Sequence, residues 1–167
     1  MLVYNIPGRT GSTIEPATLQ RLSEIDRVVG VKEATGSLDR VMDTIAACGD
    51  RFAMLSGEDS LTLPLIAMGG HGVISAVANV IPAEMAQLTD AALAGRWDEA
   101  RRLHYQVLPV MRACFLETNP IPVKAALAML GRCRDELRLP LLPMTAAGRE
   151  RLAAALAVAG VRAGNAR

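Results

Sequence analysis

Four times in the first 95 residues a short apolar run gives way to apolar residues at helical spacing. Leu2-Val3-Tyr4-Asn5 is β-prone and stops at Pro7-Gly8, which predicts a strand followed by a loop. Pro16 stands where a first helical residue belongs, with Leu19, Leu22 and Ile25 following at helical spacing. Val28 to Lys32 predicts the second strand. Ser37 can then cap a helix running through Val41, Met42, Ile45 and Ala46 to Cys48, with Gly49 closing it. Phe52-Ala53-Met54-Leu55 predicts a third strand, Leu61 to Met68 a helix stopped by Gly69-Gly70, and Val73 to Val77 a fourth strand and its exit. Pro82 opens a helix through Met85, Leu88, Ala91 and Ala92 to Gly95.

Each predicted strand is largely apolar on both faces. That pattern belongs to parallel βα units whose helices cover the sheet. After Gly95 the strands stop. Ala100, Leu103, Val107, Val110 and Met111 mark one helix, with Pro109 expected to kink it. Val123, Ala126, Leu127 and Leu130 mark another between Pro122 and Gly131, and a last helix runs from about Ala146 to Ala159. We therefore divide the chain into an α/β region, residues 1–94, and a helical region, residues 95–167. Four βα units fall well short of the roughly 250 residues of a closed eight-fold barrel. Either the strands make a small open sheet, or they are half of a barrel whose open edges invite association.

Composition narrows the class of function. With 51% apolar and 21% charged residues the chain has an ordinary globular balance, and a net charge of +1 gives no electrostatic hold on nucleic acid or an anionic membrane. No apolar stretch reaches the ~18 residues needed to span a bilayer, and the N-terminus lacks the basic and apolar stretches of a signal peptide. Cys48, Cys114 and Cys133 are odd in number and form no CxxC pair, so a disulfide framework and a zinc site are both unexpected. The expected home is the reducing cytoplasm.

Candidate chemistry gathers at the C-terminal ends of the predicted strands, the face on which parallel α/β arrays bind ligands. Tyr4 and Arg9 lie at or after the end of the first strand, Lys32 ends the second, Gly57 follows the third and Ile74 lies toward the end of the fourth. A lysine at the end of a buried strand either snorkels to solvent, pairs with an acid, or loses its proton and becomes a nucleophile toward carbonyl carbon. Tyr4 is either a core residue with its hydroxyl at the rim or a proton relay for such a lysine. Arg9, in Pro-Gly-Arg-Thr-Gly, is either a solvated loop residue or a bidentate clamp for a carboxylate. Glu58-Asp59, just before a helix, is read as serving its dipole. Gly69-Gly70-His71-Gly72 precedes its strand and so belongs to the opposite, structural face. His71 and His104 have no partner at ligand spacing, so no metal is assigned, and Lys124 is read as a surface residue.

Five stretches together carry a resemblance: Tyr4-Asn5-Ile6-Pro7-Gly8-Arg9-Thr10-Gly11, Gly30-Val31-Lys32-Glu33-Ala34-Thr35-Gly36, Leu55-Ser56-Gly57-Glu58-Asp59, Gly70-His71-Gly72-Val73-Ile74-Ser75 and Asn119-Pro120-Ile121-Pro122-Val123-Lys124. In order and spacing they resemble the dihydrodipicolinate synthase family (4-hydroxy-tetrahydrodipicolinate synthase) from Tyr4 to about Gly160. The resemblance implies a (β/α)8 TIM barrel, represented here by strands five to eight, followed by a helical C-terminal extension. It implies a Schiff-base lyase that condenses pyruvate with L-aspartate 4-semialdehyde in lysine (diaminopimelate) biosynthesis, with no metal or organic cofactor. Lys32 would form the imine with pyruvate and Tyr4 would relay protons. Arg9 would bind the semialdehyde carboxylate, while Gly57 and Ile74 would lie beside pyruvate through their backbone. A homo-oligomer, tetrameric in the family, is implied. The family's first four βα units have no counterpart here, and with them go a threonine and a second tyrosine of the proton relay. A separate N-terminal half is therefore an expected partner. The alternatives are a related pyruvate-dependent aldolase of the N-acetylneuraminate lyase kind and a non-catalytic remnant. Arg9 argues for the synthase.

Overall fold

Parallel pairing organises the first half of the chain. The computed structural model, which describes residues 1–161, has strands β1 (Leu2–Asn5), β2 (Gly30–Glu33), β3 (Ala53–Ser56) and β4 (Gly72–Val73) in the order β1-β2-β3-β4. All three pairings are parallel, and Tyr4, Lys32, Leu55 and Gly72 share one line of the register. The helices between them are α1 (Pro7–Thr10), α2 (Pro16–Ser23), α3 (Leu38–Cys48) and α4 (Thr62–Ala67). After β4 come α5 (Pro82–Leu93), α6 (Trp97–Ala113), α7 (Ile121–Met129) and α8 (Ala146–Val158).

Alternation along the strands separates two faces. Val31 and Met54 point into a core with Leu19, Val28, Val41, Phe52 and Leu65, against which Val3, Leu22 and Ile45 also pack. Burying each such side chain stabilises the fold by roughly 1.5–3 kcal/mol. On the other face lie Leu2 and Tyr4, which are 37% and 45% exposed, with the half-buried Lys32, Ala53 and Leu55 beside them. Ile74, just past β4, is 39% exposed.

The local signals explain most boundaries. Ser37 caps α3 by accepting from the Arg40 amide, and Gly49 closes it at φ 68°, a conformation that suits glycine. Four details differ from the sequence expectation. Pro7-Gly8 opens one helical turn where a loop was expected, because Arg9 and Thr10 amides both reach the Ile6 carbonyl. Ile25 lies outside α2, in the turn that follows it, with its amide on the Leu22 carbonyl. Lys32 is not the last residue of its strand, since Glu33 continues the ladder opposite Asn5 and Ser56. The fourth strand is only Gly72–Val73, because a 3₁₀ turn at Val77–Asn79 takes over where a longer strand was expected.

The described residues form two compact units, residues 1–75 with 89–97, and residues 76–88 with 98–161. The second unit is helical. Ala100, Leu103, His104, Val107, Val110 and Met111 form the buried stripe of α6, which contains Pro109, and Leu152 and Leu156 are the buried leucines of α8. His104 sits in this unit with its Nδ1 unpartnered. Burial first, and the Arg112 charge second, hold its imidazole below the ordinary histidine pKa. The unfolded chain therefore takes up a proton more readily than the folded one, and the stability is whole above the ordinary histidine pKa of about 6.5. It is lost as pH falls from there toward the lower folded value. We expect the thermal midpoint to drop between about pH 7 and pH 5, and His104→Leu to flatten that part of the profile.

Among the described residues no helix is long and apolar enough to cross a membrane, and no group of three His, Cys, Asp or Glu side chains is placed to hold a metal ion. The three cysteines are free thiols.

Candidate active site

Parallel strands deliver their C-terminal ends to one edge, and the register decides what meets there. Tyr4 and Lys32 are direct cross-strand partners on the same face. The Lys32 Nζ lies 4.2 Å from the centroid of the Tyr4 ring. That is within cation–π range, and it also puts the amine beside a phenol able to carry protons. The Tyr4 exposure leaves this pair open to an incoming molecule.

The next strand adds acids. Glu58 follows β3 by two residues, and its carboxyl titrates above the ordinary glutamate range because of burial, with the Asp59 charge adding to the effect. Lys32 opposes that shift electrostatically, which sets Glu58 in the field of the lysine. Asp59 is itself buried and accepts a hydrogen bond from the Ser75 hydroxyl, just past β4. The pair Glu58-Asp59 thus does more than face a helix dipole: it ties the ends of β3 and β4 and places a carboxyl near Lys32.

Gly57 is needed for closeness. Its amide donates to the Glu33 carbonyl at 2.6 Å, and a Cβ there would stand 2.6 Å from the Ala34 Cβ and 2.9 Å from the Glu33 oxygen. Gly57→Ala forces the ends of β2 and β3 apart. We expect it to cost about 1–3 kcal/mol in a denaturant titration, as overpacking does. Ile74 continues the ladder, its amide donating to the Ser56 carbonyl at 2.9 Å. With both amides engaged, Gly57 and Ile74 can offer a ligand their carbonyl oxygens and a close backbone.

Arg9 is exposed on the helical turn α1, which follows β1 after Ile6. The structure therefore brings Tyr4 and Lys32 into contact, sets Gly57 and Ile74 at the ends of the next two strands, and mounts Arg9 on the segment leaving the first. His71 keeps to the other end of its strand, where its Nδ1 accepts from the Met54 amide at 3.2 Å. Lys124 is half-buried, with its Nζ donating to the Glu136 carbonyl. Sequence reasoning missed Asn5 and Glu33, the two buried polar residues that follow Tyr4 and Lys32. The one available signal was that each directly follows a candidate site residue in the chain, and the sequence does not show that the two face each other.

The sequence matches the model of the Dihydrodipicolinate synthetase family over residues 1–159. The 4-hydroxy-tetrahydrodipicolinate synthase of Syntrophobacter fumaroxidans is 54% identical over 153 residues, which are 91% of this chain and 53% of that protein. Among solved structures, dihydrodipicolinate synthase from Aquifex aeolicus superposes with a TM-score of 0.94 at 42% identity, over 98% of this chain and 56% of that one. A monomeric dihydrodipicolinate synthase variant gives a TM-score of 0.92 at 40% identity, over 96% of this chain and 55% of the variant. The chain thus spans about half the length of the relatives it matches, and its strands and helices follow one half of their barrel fold with a helical C-terminal part.

Proposed function

The chain belongs to the dihydrodipicolinate synthetase family, and from that premise we propose that Lys32 forms an imine with pyruvate. The neutral Lys32 amine adds to the C2 carbonyl, and loss of water, with one further proton drawn from solvent, leaves the protonated imine. Tyr4 takes the proton from the adding nitrogen and returns one to the departing hydroxyl. Loss of a proton from the pyruvate methyl gives an enamine. That carbon attacks the aldehyde of L-aspartate 4-semialdehyde, and the semialdehyde amine then displaces Lys32 from the imine carbon, closing the ring of 4-hydroxy-tetrahydrodipicolinate. The protonated imine is the electron sink, so the reading calls for no metal or organic cofactor. Arg9 holds the semialdehyde carboxylate with two parallel hydrogen bonds. Gly57 and Ile74 border pyruvate with their backbone.

The observation that carries this reading is the Lys32 amine over the Tyr4 ring, at the C-terminal ends of adjacent parallel strands. The reading places the reaction in the cytoplasm, in lysine biosynthesis. Half a barrel leaves its pocket half walled, so the reading also requires the other half of the barrel to complete the site, and it expects a homo-oligomer.

Incubation with pyruvate and sodium borohydride, followed by peptide mapping, tests it. We expect a single reduced adduct on the peptide that contains Lys32. Adding aspartate semialdehyde should compete with trapping in the unaltered chain, and Arg9→Ala should weaken that competition while leaving the adduct. An unmodified chain after extended incubation would sink the reading.

A further inference from the structure

Behind the Tyr4–Lys32 contact, on the helix-covered face of the sheet, lies a second cross-strand pair. Asn5 follows Tyr4, Glu33 follows Lys32, and the register sets Asn5 opposite Glu33. Both are shut off from solvent, at 1% and 4% exposure. The Asn5 Nδ2 donates to the Glu33 Oε2 at 2.8 Å, and the Thr35 amide donates to the Glu33 Oε1 at 2.7 Å. The Asn5 Oδ1 accepts from the Ile14 amide at 3.1 Å, and its Nδ2 also reaches the Ile14 carbonyl at 3.5 Å. Ile14 ends the segment that starts with α1 and carries Arg9. One side-chain pair therefore joins the strand of Tyr4, the strand of Lys32 and the segment that carries Arg9.

Such a pair is an expensive way to fill an apolar layer. Groups this polar lose solvation on burial even when they are hydrogen-bonded, and two aliphatic residues of similar shape would pack without that loss. What aliphatic residues cannot do is fix one spacing between two strands and a loop, since dispersion contacts are not directional whereas hydrogen bonds are.

We propose that Asn5 and Glu33 are positioning residues that set the spacing of Tyr4, Lys32 and the segment that carries Arg9 without touching substrate. The inference rests on the imine reading for its purpose, but its geometry is testable without activity. Lys32 and Lys124 are the only lysines in the sequence. Reductive methylation of the full chain with carbon-13 formaldehyde thus gives two side-chain signals besides that of the terminal amine. The Lys32 methyl groups, held over the Tyr4 ring, should be displaced to high field by its ring current, with Lys124 as the internal reference. Tyr4→Leu marks the position without the ring, and Tyr4→Phe should keep the displacement.

Glu33→Gln leaves an amide donor facing either the Asn5 or the Thr35 donor, and Asn5→Asp sets two carboxyl groups face to face. Each single variant should carry the Lys32 signal toward its Tyr4→Leu position while Lys124 stays in place. The double variant Asn5→Asp with Glu33→Gln reverses the donor and acceptor across the strands. The side-chain amide introduced on β2 then donates its N–H to the carboxylate introduced on β1, and its oxygen accepts from the Thr35 amide. That carboxylate also accepts from the Ile14 amide. The double variant should restore the wild-type signal, also where a single variant proves too unstable to measure. The rate of borohydride trapping by pyruvate should follow the same order, falling at least about tenfold in the single variants and returning in the double one. Single variants that melt earlier yet keep the wild-type Lys32 signal would overturn the proposal, as would a folded double variant that restores neither readout. A wild-type chain that traps no pyruvate would count against the imine reading alone, with the ring-current comparison still deciding this one.

Discussion

Lys32→Ala should leave no pyruvate adduct anywhere on the chain after borohydride reduction. The expected effect is total, because few other amines are available. Lys124 is the second of only two lysines, and its Nζ donates to the Glu136 carbonyl in the other compact unit. The terminal amine of Met1 donates to the Arg27 carbonyl. Among the described residues it is the Lys32 amine that lies over a phenol ring able to move protons through carbinolamine formation and dehydration. Lys32→Arg should fail as completely, since a guanidinium keeps its proton at any working pH and has no lone pair to offer. Tyr4→Phe is a graded case: the ring and its contact remain while the acidic hydroxyl goes, so the adduct should still form, roughly 10²-fold more slowly or worse. Intact mass and peptide mapping across these variants make the measurement. An undiminished adduct in Lys32→Ala would show that pyruvate reacts elsewhere and would end the assignment.

Much of this site was legible in the sequence because parallel βα units concentrate chemistry at one set of strand ends. Strand order follows chain order here, so Tyr4, Lys32, Gly57 and Ile74 could be expected on one edge from the sequence alone. Capping signals behaved in the same way: Ser37 and Gly49 bound α3 at the residues that their side chain and backbone freedom dictate. What escaped the sequence was set by contacts between distant residues. Whether Lys32 ends its strand depends on Glu33 pairing with Asn5 and Ser56, which no local pattern encodes. Glu58-Asp59 read locally as two acids before a helix, and only the fold shows that Asp59 is buried and held by Ser75, sixteen residues away. Asn5 and Glu33 were hidden for the same reason, since each is an ordinary polar residue until the register sets them face to face. Fold class was legible from periodicity, whereas the polar ties across strands were not.

Supplying the other half of the barrel should change both the behaviour and the reactivity of residues 1–167. β1 and β4 are the ends of the sheet order, so each has one strand neighbour among the described residues, and Leu2, Tyr4 and Ile74 stand exposed on or beside the face that carries Lys32. Unpaired parallel edges and an exposed apolar face favour self-association, and we expect the chain alone to sediment as a mixture of oligomers. Adding a polypeptide that carries the remaining half of a close relative should convert that mixture into a single stable species. It should also accelerate imine formation by about 10²-fold or more, because every unit by which enclosure lowers an amine's pKa raises its neutral, nucleophilic fraction tenfold near pH 7. The Tyr4 contact and any charge–charge interaction with Glu58 also strengthen at the lower dielectric and offset part of that gain, since both favour the ammonium form. Sedimentation velocity and the borohydride trapping rate, measured with and without the added half, report the two effects separately. A chain that is a monodisperse, cooperatively melting monomer by itself and traps pyruvate no faster with its complement would refute the half-barrel account of this site. A rise in trapping that Lys32→Ala abolishes, on the other hand, would place the new reactivity at the one amine that the strand register sets against a tyrosine.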